Sequence, residues 1–240
     1  MESREITIAL TSCGRFDLLE KTVQSLVRNW DGPKPKDFYI YDDSELSGFQ
    51  KDRLKNILKT YLDFYEWPVS IIGAIDPRST PKIGQIKAID RLYSRVLTPY
   101  IFHCEDDWEF TKSGFIEKSL DILESDPKIM QVWIRKPNDR NGHPAFGGIK
   151  KANDGTHYQL MSPNFAGGKF RGFSFNPGLR RLSDYQLIGP YSEITTFDPK
   201  QPLKSEIAVG QAYFRKNFRA ATLLDGYCEH IGGNGRHING

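Results

Sequence analysis

Hydrophobic positions in the first half of the chain fall into two alternating rhythms. Ile6 to Leu10 is a short, β-branched apolar run suited to a buried strand. After the turn Thr11-Ser-Cys-Gly-Arg15, residues Leu18, Leu19, Val23, Leu26 and Val27 recur at helical spacing, with Asp17 as a candidate N-cap. Asp31-Gly-Pro-Lys-Pro35 breaks that helix, and Phe38 to Tyr41 reads as a second strand ending at Asp42-Asp43. Gln50 to Tyr65 places Leu54, Ile57, Leu58 and Leu62 on one helical face, and Val69 to Ile75 reads as a third strand. A helix over Gly84 to Val96 follows, stopped by Thr98-Pro99. Tyr100 to Cys104 is then a strand that runs into Glu105-Asp106-Asp107. A helix over Ser113 to Leu123 and a strand over Met130 to Ile134 complete the pattern.

Such alternation predicts an α/β fold, with a mostly parallel sheet and helices on both faces. Ligands of these sheets bind beyond the carboxyl ends of the strands. Three strands end there in polar clusters: Thr11-Ser12, Asp42-Asp43 and Glu105-Asp106-Asp107. From Lys136 to Ser205 the rhythm gives way to Gly, Pro, Asn and aromatic residues, with strand-like pieces near Tyr158 to Met161 and Gly172 to Phe175. No linker composition sets this stretch apart, so it reads as a loop-rich lobe of a single domain over residues 1–240. Glu206 to Phe218 reads as a helix, Ala220 to Leu224 as a strand, and Ile231 to Gly240 as a Gly-rich tail.

Composition narrows the function classes. A net charge of +3 across 240 residues is far below the footprint of a dedicated nucleic-acid binder. The three cysteines, Cys13, Cys104 and Cys228, lack CxxC spacing, which argues against a zinc site or a disulfide framework. No apolar run approaches the roughly 20 residues that span a bilayer. The expectation is a cytoplasmic protein without a transmembrane segment.

Three carboxylates at one strand end repel one another unless a cation or burial offsets them. A divalent ion with oxygen ligands, Mg or Mn, would do so while binding a diphosphate. A solvated acidic turn fits the same residues, as a plain turn or cap fits Asp42-Asp43. The small residues of the Thr11 to Arg15 turn let a ligand approach the backbone, and the following helix N-terminus favours phosphate. No GxGxxG or Walker signature is present, so hydride transfer and ATP hydrolysis lack their motifs.

Ile6-Thr-Ile-Ala-Leu-Thr-Ser-Cys-Gly-Arg15, Tyr41-Asp-Asp-Ser44 and Tyr100-Ile-Phe-His-Cys-Glu-Asp-Asp107 resemble, in order and separation, the successive motifs of family 2 inverting glycosyltransferases with the GT-A fold. The resemblance implies a nucleotide diphospho-sugar donor, with a lean to UDP, and a glycan or glycoconjugate acceptor. It implies a nucleotide-sugar half over residues 1–107 and an acceptor half over residues 108–240. Thr11, Ser12 and Arg15 would line the nucleotide, Asp43 would bond the base, and Asp106 would approach the sugar or ribose. Asp107 would be the principal metal ligand, helped by Glu105 and by His230 in Cys-Glu-His-Ile-Gly. Lys82 would approach the diphosphate, and Trp108, beside the acidic cluster, is a candidate sugar platform. Lys204-Ser-Glu206 resembles the Glu-Asp helix start of that family, placing Glu206 as general base. The departure is that Ser205 stands for the usual Glu and Glu206 for Asp. Arg236 would reach the diphosphate if the tail closed over it, with His237 a rival to His230.

The rivals are a nucleotidyltransferase, a glycoside hydrolase and a sugar-nucleotide- or glycan-binding module without catalysis. The first would open with a Gly-rich basic phosphate loop that Thr11 to Arg15 does not provide. A hydrolase would use two carboxylates without a metal cluster at a strand edge.

Overall fold

The computed structural model describes residues 3–44, 46–72, 84–140, 142–196 and 203–233. Lys82, Arg236 and His237 lie outside the described residues. The strands are β1 (Ile6–Ser12), β2 (Asp37–Asp42), β3 (Val69–Ile71), β4 (Tyr100–Glu105), β5 (Trp108–Phe110), β6 (Ile129–Trp133), β7 (Ala145–Lys151), β8 (His157–Met161), β9 (Gly178–Arg181), β10 (Arg219–Leu223) and β11 (Cys228–His230). The helices are α1 (Phe16–Asn29), α2 (Gly48–Leu62), α3 (Gln85–Tyr93), α4 (Phe115–Ser125), α5 (Phe165–Gly168), α6 (Leu182–Ile188), α7 (Tyr191–Ile194) and α8 (Leu203–Arg215).

The first sheet has the order β3-β2-β1-β4-β9 and is parallel except for β9. Strand order reverses at β1, which pairs with β2 on one side and β4 on the other. That reversal opens a crevice beyond Ser12, Asp42 and Glu105, the last residues of the three strands. β1 is buried along its whole length, and its side chains alternate between two cores. Ile6, Ile8 and Leu10 pack with Leu19, Val23, Leu54, Ile57 and Leu120 of α1, α2 and α4. Ala9 turns the other way, to Ile86, Ile89 and Leu92 of α3 and to Tyr185, Tyr191 and Tyr213. The period-2 geometry of a strand sandwiched between helices produces this split.

β6 does not extend the first sheet, as simple alternation would suggest. It belongs to a second, mixed sheet of order β6-β10-β8-β7. A Cβ on Gly178 of β9 would lie 2.6 Å from the Val132 carbonyl oxygen of β6, so the absent side chain lets the two sheets meet. The Gly172 to Phe175 piece is not a strand. Gly172 has φ of +85°, and the Ser174 amide bonds to the Gln131 side chain, not to a ladder.

Helix ends also differ from expectation. α1 begins at Phe16, with Arg15 as its N-cap residue and no side-chain cap, so Asp17 lies in the first turn. α2 starts two residues before the apolar pattern suggests, because Ser47 and Gln50 form a capping box. α4 borrows its cap: the Asp31 carboxylate accepts from Ile116 N at 3.1 Å and Glu117 N at 3.3 Å. No helix among the described residues is long and apolar enough to cross a membrane.

Candidate active site

The turn after β1 is tied down by Asp42, which accepts from Gly14 N at 3.1 Å and from the Ser44 backbone and hydroxyl. Gly14 has φ of +69°, and a Cβ there would press on Ser44 Oγ at 3.1 Å. Asp43, one residue on, accepts from Gly84 N at 2.8 Å and so joins the end of β2 to the start of α3.

This turn delivers Arg15 to the carboxylates beyond β4. Its guanidinium pairs with Asp106 and also reaches Asp107 Oδ2 at 2.7 Å. Asp106 is buried and accepts further from Ser12 Oγ at 3.0 Å and Cys13 N at 3.1 Å. Burial nevertheless pushes its carboxyl up to about 6, against the charge of Arg15. Asp107 moves the other way. Burial would raise it, but the hydrogen bond from His230 and the charge of Arg15 outweigh that and hold it below the ordinary carboxylate range.

β5 and β11 form a two-stranded ribbon with His230 opposite Trp108. That register brings His230 Nε2 to 3.2 Å from Asp107 Oδ2, while Ile231 N bonds the Asp107 carbonyl at 2.9 Å. Gly232 folds over the pair. A Cβ there would lie 2.6 Å from Asp107 Oδ2 and 3.0 Å from His230 Nε2.

The other oxygen, Asp107 Oδ1, is buried without a hydrogen-bond partner. An orphaned carboxylate oxygen beside an imidazole fits a divalent cation that takes its remaining ligands from a diphosphate and water. The wider ligand set anticipated from the sequence does not form. Among the described residues, no group of three or more His, Cys, Asp and Glu side chains is arranged to hold a metal ion. Glu105 turns away to accept from the Gln85 amide and from Trp108 Nε1 at 3.4 Å. Burial, reinforced by the charges of Asp107, Glu206 and Asp106, pushes Glu105 up to about 8.

Trp108 is likewise not an open platform, being 1% exposed. Its ring lies 5.1 Å from His230, with the Arg135 guanidinium 4.9 Å from its centroid. Thr11 and Ser12 are buried at the strand end. The Ser12 hydroxyl is engaged by Asp106.

Glu206 stands in the first turn of α8. One of its oxygens accepts from Ser174 Oγ at 2.7 Å and from Phe175 N at 2.9 Å. The loop carrying those donors is held by Gln131, which exchanges bonds with Ser174 N and O at 3.1 and 2.9 Å. The buried Arg180 adds a bond to Ser174 O at 2.6 Å. Burial raises the Glu206 carboxyl, opposed by the Ser174 and Phe175 bonds and by the charges of Arg180 and Arg135.

Sequence reasoning missed Gln85, Gln131, Arg135, Ser174 and Gly232. Only Gln131 carried a signal, as a lone amide in the apolar run Ile129 to Ile134. A groove of about 770 Å³ lies elsewhere, lined by Lys87, Arg91, Tyr185 and Pro190 among others. Its carboxylate, Asp90, is already engaged by Tyr185 Oη, Tyr191 N and Ser192 N, so it fastens α3 to α6 and α7.

No protein-family model matches the sequence, and no curated protein matches it either. Solved structures do match. The mannosyltransferase PcManGT from Pyrobaculum calidifontis, in complex with GDP-Man and Mn2+, aligns with a TM-score of 0.63 at 12% identity. S. aureus TarS 1–349 aligns at 0.62 and 12% identity, and its complex with UDP at 0.59 and 12%. The chain has the GT-A fold. The alignments cover 98% of it for the mannosyltransferase and 93% for TarS, but in each case 59% of the other chain. This GT-A chain thus spans about three-fifths of the length of the structures it matches. Its sheet reversal places Asp106 and Asp107 at the crevice where such α/β sheets take ligands.

Proposed function

We propose that the chain is an inverting glycosyltransferase that moves a sugar from a nucleotide diphospho-sugar, a UDP-sugar in the first instance, to a hydroxyl of a glycan or glycoconjugate. The observation that carries this reading is the meeting of Asp107 and His230 beyond the switch point of a GT-A sheet, with one buried oxygen of Asp107 left without a partner. The matched structures include one bound to GDP-Man and Mn2+ and one bound to UDP. The donor class is carried over from them as part of the proposal.

Asp107 and His230 would hold the divalent cation, Mn or Mg. A cation there would offset charge on the departing diphosphate as a Lewis acid. Arg15, already within reach of Asp107, is placed to shift a donor to a diphosphate oxygen. Asp43 is assigned to the base and Asp106 to the ribose or sugar. Glu206 is the general base. Its carboxylate takes the acceptor hydroxyl proton while the acceptor oxygen bonds to the anomeric carbon. The bond from that carbon to the diphosphate oxygen breaks on the opposite face, so configuration inverts. The hydrogen bonds from Ser174 and Phe175 occupy one Glu206 oxygen and aim the carboxylate.

The test is incubation with UDP-sugars and GDP-mannose, with Mn2+ and with EDTA, reading nucleoside diphosphate release. Metal-dependent release of the diphosphate supports transfer. Release of pyrophosphate would mean nucleotidyl chemistry, and nucleotide binding without turnover would mean a binding module.

A further inference from the structure

The proposed transfer uses Asp107, His230, Arg15 and Glu206, and assigns no role to the buried Arg135. Arg135 lies two residues beyond β6 and pairs by backbone with Cys228 at the start of β11. It is 5% exposed. Its guanidinium covers the Trp108 ring at 4.9 Å, and its charge is felt at Glu206. One Nη2 bond, 2.9 Å long, goes to Asp139, whose side chain is 41% exposed. The Nε proton is buried and has no partner.

A buried guanidinium donor without an acceptor is costly, because it has lost water and gained nothing. Packing on Trp108 accounts for the stacked face but leaves the edge of the fork unfilled. An oxyanion fits that edge, since carboxylate and phosphate oxygens match paired guanidinium N–H groups. The position selects which substrate would bring it. Arg15 and His230 crowd the Asp107 side, whereas Arg135 continues the alternating face of Gln131 and Trp133, whose side chains bond to Ser174 and to Gly172 O in the loop that supports Glu206, the base that would face the acceptor. Charge along the chain agrees: residues 136–205 hold ten Lys and Arg against five Asp and Glu, more than the whole excess of +3.

We propose that Arg135 anchors an oxyanion subsite on the acceptor side of the centre, recognising a phosphate or carboxylate group carried by the acceptor near the hydroxyl that reacts. Its place on the acceptor side rests on the transferase reading; the anion subsite rests on Arg135 itself.

Calorimetric titration of the full chain, saturated with UDP and Mn2+, by glycerol 1-phosphate, glycerate and glycerol tests this. The two anions are expected to bind and glycerol not to, and the stronger of the two distinguishes phosphate from carboxylate. Arg135→Gln should weaken anion binding about tenfold or more while UDP binding persists. Asp139→Asn, which removes the negative charge paired with Nη2, should tighten it severalfold, and decides the matter alone if Arg135→Gln does not fold. Equal anion affinity in Arg135→Gln, no anion binding by the unaltered chain, no change in Asp139→Asn, or displacement of UDP by the anions would each overturn the proposal. If no nucleotide binds, the transferase reading fails by itself, and the same titration of the nucleotide-free chain still decides Arg135.

Discussion

Replacing Ser174 with Ala isolates the link between the Glu206 carboxylate and its support. The hydroxyl donates to Glu206 at 2.7 Å and accepts from Asn176 N at 3.1 Å. A hydrogen bond to a charged group contributes about 1.5–3 kcal/mol, and a tenfold change in a protonation equilibrium corresponds to about 1.4 kcal/mol. At the lower end of that range, loss of the hydroxyl should move the acidic limb of the rate profile up by about one pH unit. The sign follows from the state each bond favours. Ser174 stabilises the charged carboxylate, whereas burial has already raised Glu206 above its ordinary 4.5. Removing the donor raises it further, so the variant should lose about tenfold in rate on the acidic side and recover in alkali. Stability should follow the same titration. A group raised in the folded state contributes its stability below about 4.5, and that contribution is lost as pH rises through the folded value. The difference in Tm between variant and parent should accordingly be small in acid and widen in alkali. The assay is metal-dependent release of nucleoside diphosphate from the donor across pH, beside thermal unfolding in the same buffers. Ser174→Thr, which keeps a hydroxyl, should behave as the parent. An equal loss of rate at every pH would instead make Ser174 a packing residue with no hold on Glu206.

Gly232→Ala should weaken Mn2+ binding about tenfold, since the added Cβ would sit 2.6 Å from Asp107 Oδ2 and force the pair with His230 apart; titration followed by Mn2+ electron paramagnetic resonance checks this. Arg15→Ala leaves the buried Asp106 without its cation and Asp107 with His230 alone, and unpaired buried charge of this kind costs about 3–5 kcal/mol. Added Mn2+ should restore part of the lost Tm, and a Tm indifferent to Mn2+ would argue against a cation at Asp107. Asp31→Ala strips the borrowed cap of α4 and should cost about 1 kcal/mol in urea unfolding without changing nucleotide affinity.

The local elements of the first half, and the strand ends where polar residues gather, were legible in the amino-acid pattern alone. Strands and helices buried on one regular face write their period into the chain. Ile6 to Leu10 and the Leu19, Val23 and Leu26 stripe are examples that the structure places in the core. Asp106 and Asp107 were legible for the same reason, as charges that follow a buried strand. Which charges meet is fixed by long-range packing. His230 reaches Asp107 because β11 pairs with β5 in one register, across more than a hundred residues of chain. Glu105, adjacent in sequence, is turned aside by Gln85 and Trp108. Ser174 and Gln131 converge on Glu206 through a loop with no periodic pattern. Local propensity acts over a turn or a strand, whereas the side-chain packing that fixes these distances is set only when both cores close.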